Sequence, residues 1–404
     1  MNILFLTQVL PYPLDAGPKV RAYYTLRHLA QNHSVTLVSF VRPGDTPEAQ
    51  AHLRSMLARL VTCPISRSAL AEAMAIGRSL LNGEPLLITR DRVPAMHSTL
   101  RALVAGGSYD IIHADQLWMA PYALAARAAI KPGRAGPRLV LDQHNAVHLI
   151  PSRLAAAAGN PIMRLGWQRE TRQMARYEAT TCRAFDRVVA VTEADRQALN
   201  RLYPADRPLP ITVIPICIDP AGIRRQPRPE DSPGLLFLGG MHWPPNADGA
   251  HWFALTILPA VLAQQPRARF LAVGKQPPRT LLRPAAGSIE APGYVDDPQP
   301  YWDRSQAFVV PLRAGGGMRV KILEAWARGV PVVATTIGAE GITYRAGENI
   351  LIADTPQEFA ECVLAILRDP ALAEQLSLAG RAAVEQHYDW RQTYAAWEAV
   401  YAAQ

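Results

Sequence analysis

The stretch that decides the fold is PLRAGGGMRVKILEAWARGVPVV, which covers residues 311–333. Three consecutive glycines (residues 315–317) precede apolar residues at helical spacing, Gly329 ends that pattern, and a β-branched run at 330–336 predicts a buried strand. Glycines let the backbone approach a ligand where a Cβ would clash. The free N–H groups of a first helical turn favour an anion. The stretch therefore predicts a phosphate site.

Charged residues in the same stretch sharpen this interpretation. Arg319 and Lys321 add two positive charges at the start of the predicted helix, and Glu324 is an acceptor within reach of sugar hydroxyls. Only four of the 42 basic residues are lysine, which favours a selected role for Lys321 as a compact point charge. These residues fit a diphosphate beside a polyol. The alternative is an ordinary glycine-rich turn, which occurs in every α/β domain.

Length and composition limit the class of protein. A chain of 404 residues, with 49% hydrophobic and 19% charged residues, predicts a globular protein of two domains. No apolar run approaches the roughly 18 residues of a membrane span. The first residues, MNILFLTQVLPYP, predict a strand rather than a signal peptide. Four scattered cysteines show no metal-binding spacing, so we expect a reduced, cytoplasmic protein.

The net charge of +8 is unevenly distributed. Residues 1–228 contain 28 Lys and Arg against 16 Asp and Glu, whereas residues 229–404 contain 14 against 18. The basic half indicates an anionic partner. Dispersed arginines without a nucleic-acid-binding motif argue against nucleic acid. We expect peripheral contact with the inner face of an anionic membrane, an acidic acceptor, or no specific partner at all. The basic helix predicted at 161–184 is more typical of a solvated face than of a membrane-docking surface.

Strand and helix patterns alternate twice along the chain. The second half includes a predicted loop at 239–249 and a predicted helix at 250–264. The predicted strands are 2–7, 34–40, 111–114, 138–142, 187–191, 211–214, 235–238, 270–273, 306–310, 330–335 and 350–352. Strand, glycine-containing loop, helix and strand follow one another at 2–40, and the pattern restarts at 235 after the charged, proline-rich segment RRQPRPEDSPG. The first loop has the single glycine Gly17 and no G-x-G-x-x-G, which argues against a dinucleotide cofactor. The predicted domains are residues 1–223 and 235–385, joined by a linker at 224–234. Residues 386–404 are predicted to form an aromatic-rich helix that packs back across the domain junction.

Several segments resemble the retaining glycosyltransferase family four, which has the GT-B fold. They are FLGGM at 237–241, PGYVDD at 292–297, FVVPLRAGGGMRVKILEAWARGVPVVAT at 308–335, GENILI at 347–352, LDQHNAV at 141–147 and FDRVVAVTEADRQAL at 185–199. The resemblance spans nearly the whole chain. It implies an α/β protein with two Rossmann-like domains that face each other across a cleft. The implied activity is sugar transfer from a nucleotide-diphospho-sugar to a hydroxyl of a polysaccharide, glycolipid or small-molecule acceptor.

The resemblance also implies roles for individual residues. His144 matches a histidine that approaches the donor sugar, and Glu324 matches the second glutamate of an E-x7-E element that binds ribose hydroxyls. The implied donor-binding residues are Gly17, Gly240, Met241, Tyr294, Val295, Gly315, Gly316, Gly317, Met318, Arg319, Lys321 and Glu324. The residues expected on the acceptor side are Lys19, Arg21, His113 and Asp115. Asp142 is expected to end a strand rather than to act as a base.

Two departures from the family pattern matter. The first glutamate of E-x7-E falls at Gly316, which leaves the identity of the sugar open. The first loop of the second domain, GGMHWPPNADG, lacks the Arg and Lys that hold the diphosphate in many members. We infer that Arg319 and Lys321 supply that charge, and we assign them, with His144, to the catalytic group.

The expected chemistry requires stabilisation of a diphosphate leaving group. No Asp-x-Asp occurs in the sequence, so we expect no metal and no cofactor besides the donor substrate. Two alternatives stay open: a sugar-nucleotide epimerase or hydrolase of the same fold, and a non-catalytic nucleotide-binding module with a degraded site. The nucleotide base, donor sugar, acceptor and oligomeric state are not readable from the sequence.

Overall fold

The computed structural model describes residues 1–66, 68–130, 136–229, 233–282 and 287–402. The chain forms two compact units. The first unit contains Met1–Cys217 together with Trp390–Gln404, and the second contains Ile218–Asp389. Each unit is built on one parallel sheet with helices, which is the α/β class that the sequence predicts.

The first unit has a seven-stranded sheet in the order β3-β2-β1-β4-β5-β6-β7. Its paired strands are all parallel. Central strands such as β1 are almost continuously apolar and buried, as expected for a parallel sheet covered on both faces. The strands are β1 (Asn2–Thr7), β2 (Ser34–Val41), β3 (Arg59–Pro64), β4 (Ile111–Asp115), β5 (Arg138–Gln143), β6 (Arg187–Ala190) and β7 (Ile211–Val213).

Nine helices accompany this sheet among the described residues before 218. Proline in the first turn of several, including α1 and α8, favours the helix start because its missing N–H has no intrahelical partner there. The helices are α1 (Gly17–Leu29), α2 (Pro47–Met56), α3 (Ala69–Asn82), α4 (Leu86–Thr89), α5 (Pro94–Gly106), α6 (Ala120–Ala128), α7 (Leu149–Ala157), α8 (Pro161–Arg183) and α9 (Glu193–Asn200).

The second unit has a six-stranded parallel sheet in the order β10-β9-β8-β11-β12-β13. Its strands are β8 (Gly234–Leu238), β9 (Arg269–Val273), β10 (Ile289–Gly293), β11 (Ser305–Val310), β12 (Val332–Ala334) and β13 (Leu351–Ile352). Its helices are α10 (Pro244–Trp252), α11 (Leu258–Gln264), α12 (Gln299–Asp303), α13 (Val320–Arg328), α14 (Pro356–Arg368) and α15 (Pro370–His387).

The chain returns to the first unit at its end. Two short helices, α16 (Trp390–Thr393) and α17 (Ala396–Ala402), belong to that unit. Their aromatic side chains, including Trp397 and Tyr401, are buried. The predicted C-terminal segment, 386–404, thus divides between the end of α15 and these two helices, and residues 403–404 lie outside the described residues.

The predicted linker, residues 224–234, is part of the second unit rather than a free connection. Arg225 binds Ser377 at 2.9 and 3.1 Å, Gln226 binds Asp303 at 2.8 Å, and Arg228 donates to Ile366 O at 2.7 Å. These side chains hold the segment against the unit that follows it. The part of the prediction at 230–232 lies outside the described residues.

Local helix prediction was wrong at one place in the second unit. The predicted loop 239–249 contains the first turns of α10, because Pro244 and Pro245 start a helix as readily as they interrupt one. The predicted single helix 250–264 is divided by a π-helical turn at Phe253–Ile257, just before Pro259 in α11.

The described residues contain no helix long and apolar enough to cross a membrane.

Candidate functional site

Each sheet reverses its strand order at one point, and the sequence-predicted residues cluster there. In the first unit the reversal lies between β1 and β4. Loops at the carboxyl ends of strands beside such a point form the usual ligand crevice of doubly wound sheets. Asp115 ends β4, Asp142 lies near the end of β5, and His144 follows β5 directly.

A group of four charged side chains occupies this position, and we call it the buried cluster: Arg21, Asp115, Asp142 and His144. The Arg21 guanidinium donates to both oxygens of Asp142, at 2.9 and 3.0 Å, and also to Pro215 O at 2.6 Å. Both Arg21 and Asp142 are fully buried. Burying an ion pair costs free energy because both charges lose their hydration. Two parallel hydrogen bonds to one carboxylate, with a further hydrogen bond from the guanidinium to a carbonyl, recover most of that cost.

His144 connects the two carboxylates of the buried cluster. Its Nε2 donates to Asp115 Oδ1 at 2.9 Å and lies 3.6 Å from Asp142 Oδ2. Burial disfavours the charged ring, but the carboxylates of Asp115 and Asp142 outweigh burial and raise the pKa of His144 to about 9. Burial also raises the pKa of Asp115, and the histidine opposes that increase. At neutral pH, His144 is therefore a cation.

The other ring nitrogen of His144 has a different environment. Nδ1 is buried and has no hydrogen-bond partner among the described residues, and the same holds for Asp115 Oδ2. A protonated Nδ1 without a partner is a buried donor that the described residues leave unsatisfied. The hydrogen bond from His144 to a sugar hydroxyl stays a prediction, and it requires the buried Nδ1 to become accessible to the donor.

The segment after β5 is held in place by two acidic side chains from later helices. Glu178 of α8 is fully buried and accepts from Val147 N at 2.8 Å and from His148 Nδ1 at 2.6 Å. Asp195 of α9 accepts from Ala146 N at 2.9 Å. These bonds satisfy backbone N–H groups that a buried loop would otherwise leave unpaired, so they fix the segment that carries His144.

Backbone strain marks the end of β4. Gln116, the residue after Asp115, has a φ of 73°, which non-glycine residues rarely adopt, and its N–H donates to Asp142 O at 2.8 Å. Strained residues concentrate at functional sites, where the surrounding structure enforces them. The strain here supports a functional role for the neighbouring buried cluster.

Aromatic residues from the end of the chain pack against the same cluster. The Arg21 guanidinium lies 5.3 Å from the ring centroid of Tyr394 and 5.0 Å from that of Trp397. The Tyr401 hydroxyl lies 2.7 Å from His113 Nδ1, and the His113 ring stacks on Phe5 with centroids 4.0 Å apart. The predicted aromatic face of the C-terminal segment thus packs around Arg21 and His113.

His113, Asp115 and Asp142 offer ligand atoms within 4.8 Å of one another. Metal binding there conflicts with their existing contacts. Arg21 already occupies both oxygens of Asp142, and Tyr401 occupies His113 Nδ1. A guanidinium at 2.9 Å from Asp142 also repels a second cation. The donor set fits the ion pair rather than a metal ion.

The sheet of the second unit reverses between β8 and β11. The loops after these two strands contain the two glycine-rich segments of the sequence, at 239–240 and 315–317. Arg313 after β11 binds Asp248 of α10 at 2.5 and 3.0 Å, which ties the two loops together. At Gly274, a Cβ would lie 1.9 Å from Gly239 O, so only glycine permits this close approach.

We call the second group the glycine-loop cluster: residues 315–317, Arg319, Lys321 and Glu324. Gly315 has a φ of 122°, a conformation that favours glycine. The Arg319 guanidinium donates back to Gly316 O at 2.5 Å and to Gly317 O at 2.9 Å. Arg319 therefore braces the glycine loop in this structure, and its charge lies beside the loop where we predicted a phosphate.

Lys321 and Glu324 form the other half of the glycine-loop cluster. Lys321 Nζ lies 2.7 Å from Glu324 Oε2, and Arg328 Nη2 lies 3.4 Å from Glu324 Oε1. Burial acts to raise the pKa of Glu324, but Lys321 and Arg328 outweigh it and hold that pKa below its usual range. Glu324 is thus an ionised acceptor, as a ribose-binding carboxylate requires.

The remaining donor-side residues differ in exposure. Met241 and Met318 are buried, at 4% and 8% exposure, and their contact with the donor stays a prediction. Tyr294 is half exposed, with Lys275 Nζ 4.6 Å from its ring centroid. Val295 follows Tyr294 in the chain. The backbone carbonyl of Gly240 accepts a hydrogen bond from the Asn246 side chain at 3.0 Å. In the first unit, Gly17 is the first residue of α1.

The predicted acceptor-side residues need correction. Arg21, His113 and Asp115 are fully buried and bound to other residues of the first unit, so they position the site rather than meet an acceptor. Lys19 pairs with Asp15 at 2.9 Å. Asp142, which we expected to end a strand rather than to act as a base, lies near the end of β5 and is the central carboxylate of the buried cluster. The sequence signal was limited to an acidic residue two positions before His144, because its partner Arg21 is identified only by the structure.

Two family models match the chain. "Glycosyltransferase Family 4" matches residues 16–221, and "Glycosyl transferases group 1" matches residues 232–369. Among solved structures, a protein of Anabaena (Alr3699/HepE), crystallised in complex with UDP and glucose, has a TM-score of 0.69. It is 14% identical, and the alignment covers 100% of both chains. This likeness shows a GT-B fold with two Rossmann-like domains.

Curated relatives match over part of their length. An uncharacterised 44.6 kDa protein in the cps region of Klebsiella pneumoniae is 24% identical over 169 residues, which are 40% of this chain and 44% of that protein. A GDP-mannose-dependent monoacylated alpha-(1-6)-phosphatidylinositol monomannoside mannosyltransferase of Corynebacterium glutamicum is 30% identical over 146 residues, or 33% and 38% of the two chains. The chain thus spans about two fifths of the length of these relatives.

Proposed function

The chain belongs to glycosyltransferase family 4, and we propose that it transfers a sugar from a nucleotide-diphospho-sugar to an acceptor hydroxyl. The proposal includes retention of anomeric configuration and independence from metal and cofactors. The observation that carries it is the glycine-loop cluster, which places two cations and an ionised carboxylate beside a glycine loop at a switch point.

The charge arrangement suits a diphosphate leaving group. During transfer, the bond between the anomeric carbon and the diphosphate oxygen breaks, and negative charge develops on that oxygen. Arg319 and Lys321 are the proposed partners of this charge, each able to exchange a present contact for a phosphate oxygen. The acceptor oxygen bonds to the same carbon, and its proton passes to a donor phosphate oxygen.

His144 and Glu324 are proposed to orient the donor. The unpartnered Nδ1 of the cationic His144 would donate to a sugar hydroxyl, and Glu324 would accept from the ribose hydroxyls. Since Gly316 replaces the family's first glutamate, we propose that charge on His144 contributes more to sugar binding here. The name of the Corynebacterium relative suggests GDP-mannose as a donor to try first, and a structure of Anabaena HepE in complex with UDP-glucose suggests UDP-glucose.

The decisive experiment is calorimetric titration with UDP, GDP, ADP and TDP, with and without EDTA. We expect one nucleotide to bind equally well in both conditions. Arg319→Ala/Lys321→Ala should lose most of that affinity, because each charge-assisted hydrogen bond contributes about 1.5–3 kcal/mol. The matched control is Arg345→Ala, which removes an exposed arginine of the same unit. Binding that EDTA abolishes would overturn metal independence, and no binding at all would overturn the donor site.

Donor turnover distinguishes transfer from the two alternatives. An epimerase or hydrolase consumes donor without an acceptor, and a degraded module binds nucleotide without turnover. We expect consumption that depends on an acceptor hydroxyl, tested with polysaccharide, glycolipid and small-molecule acceptors. NMR of the product's anomeric proton then decides between retention and inversion.

A further inference from the structure

The exposed face of α3 in the first unit is apolar, which is the reverse of an ordinary surface helix. Five large aliphatic side chains project to solvent: Leu70, Met74, Ile76, Leu80 and Leu81, from 47% to 86% exposed. The buried side of the helix carries only Ala75 and Ser79. At 100° per residue, the five side chains and three small residues at 69, 73 and 77 occupy one continuous face.

The first turns of α8 carry three more exposed apolar side chains. Ile162, Met163 and Leu165 are 82%, 57% and 68% exposed. One contact fixes α8 beside the end of α3: Arg169 donates to Ser79 O at 3.0 Å. Leu165 lies four residues before Arg169, or about 6 Å along the helix axis. The eight exposed apolar side chains thus belong to two helices that are in contact, and we call them together the α3–α8 face.

The charge beside the α3–α8 face is mainly positive: α3 exposes Glu72 and Arg78, and α8 adds exposed arginines. Helix α8 carries five arginines and two glutamates. Both glutamates are buried, because Glu170 accepts from the backbone of Leu86 and Leu87 and Glu178 accepts from the segment after β5. The exposed charge of the helix is consequently positive. Arg164 and Arg172 also line a cavity of about 560 Å³ with Ser152 and Thr171, next to the apolar turn.

We propose that the α3–α8 face docks on an anionic lipid bilayer, with its apolar side chains in the acyl boundary and the arginines of α8 at the phosphates. Large apolar residues on one face and arginines at its edge are the features of interfacial helices. A symmetric second copy fits less well, because a twofold contact would bring the arginines of both α8 helices together, with Glu72 of α3 as the one exposed carboxylate on the two helices of each chain. The inference does not depend on the proposed chemistry.

Co-sedimentation with vesicles tests the proposal on the full chain. Phosphatidylcholine vesicles with and without phosphatidylglycerol are compared at low and high salt. We expect binding to the anionic vesicles that weakens with salt. Arg164→Gln/Arg172→Gln should reduce the affinity roughly thirty-fold, and Leu80→Gln/Leu81→Gln at least about tenfold.

Matched control variants distinguish binding through the α3–α8 face from nonspecific binding of exposed leucines and arginines to vesicles. Leu255→Gln/Leu378→Gln removes two leucines of similar exposure from the second unit, and Arg207→Gln/Arg345→Gln removes two exposed arginines elsewhere. Both controls should bind like the unmodified chain. Equal binding by all variants, or no binding to anionic vesicles, would overturn the proposal. Self-association in sedimentation velocity that Leu80→Gln/Leu81→Gln abolishes would assign the face to a second copy instead.

Discussion

The buried cluster and the glycine-loop cluster each contain an ion pair between a basic side chain and a carboxylate, but the two pairs differ in their access to water. Arg21 and Asp142 are 121 positions apart and have no exposed surface, whereas Lys321 and Glu324 are three positions apart and keep 32% and 19% of their side chains exposed. A pair without access to water cannot exchange partners without leaving a charge unsolvated. A partly exposed pair such as Lys321–Glu324 can exchange partners, because water or a ligand reaches the charges. The first arrangement suits positioning, and the second suits ligand exchange.

The largest expected effect is the loss of Asp142. Asp142→Asn leaves the Arg21 charge buried against a neutral amide and should lower the free energy of unfolding by about 3–5 kcal/mol. Urea denaturation measures this change. The double variant Arg21→Met/Asp142→Leu should recover most of the loss, because it removes the Arg21 charge together with its partner and leaves Asp115 and His144 paired with each other. A loss below about 1 kcal/mol in the single variant would mean that the pair is not isolated from water.

The second expected effect is a pH dependence from His144. Because folding raises the pKa of His144 from about 6.5 to about 9, its stabilisation is fully present below pH 6.5 and lost as the pH rises through 9. The free energy of unfolding should fall by up to about 3 kcal/mol over that window. His144→Gln should flatten the fall. His113→Gln should not, since burial lowers the pKa of His113 to about 3, far from the window.

The smallest expected effect on stability is at the glycine-loop cluster. Lys321→Ala removes one of the two cations that pair with the partly buried Glu324, and because Arg328 stays beside that carboxylate, the free energy of unfolding should change by only about 1 kcal/mol. The same variant should reduce nucleoside diphosphate affinity about tenfold or more, since a charge-assisted hydrogen bond is lost. Urea denaturation of one preparation gives the free energy of unfolding, and calorimetric titration of the same preparation gives the nucleoside diphosphate affinity. A large stability loss without a change in affinity would reverse the roles assigned to the two clusters.

The sequence predicted most strands of both sheets because buried parallel strands are continuous apolar runs. Two strands were missed, β3 and β10, and each lies at an edge of its sheet. Both contain a proline, Pro64 and Pro292, and β10 has no fully buried residue. Edge strands tolerate proline and bury fewer side chains, so they lack the pattern that identifies central strands.

By itself, the sequence determined the glycine loop, α13 and the Lys321–Glu324 pair, because glycine conformation, helix capping and helical spacing are set within a few residues of chain. Only the tertiary structure decided that Arg21, Asp115, Asp142 and His144 meet. Their contacts depend on the reversal of strand order between β1 and β4 and on two helices from the end of the chain packing beside Arg21. No local pattern records which distant carboxylate a buried arginine will reach, since that choice follows from burial and sheet order together.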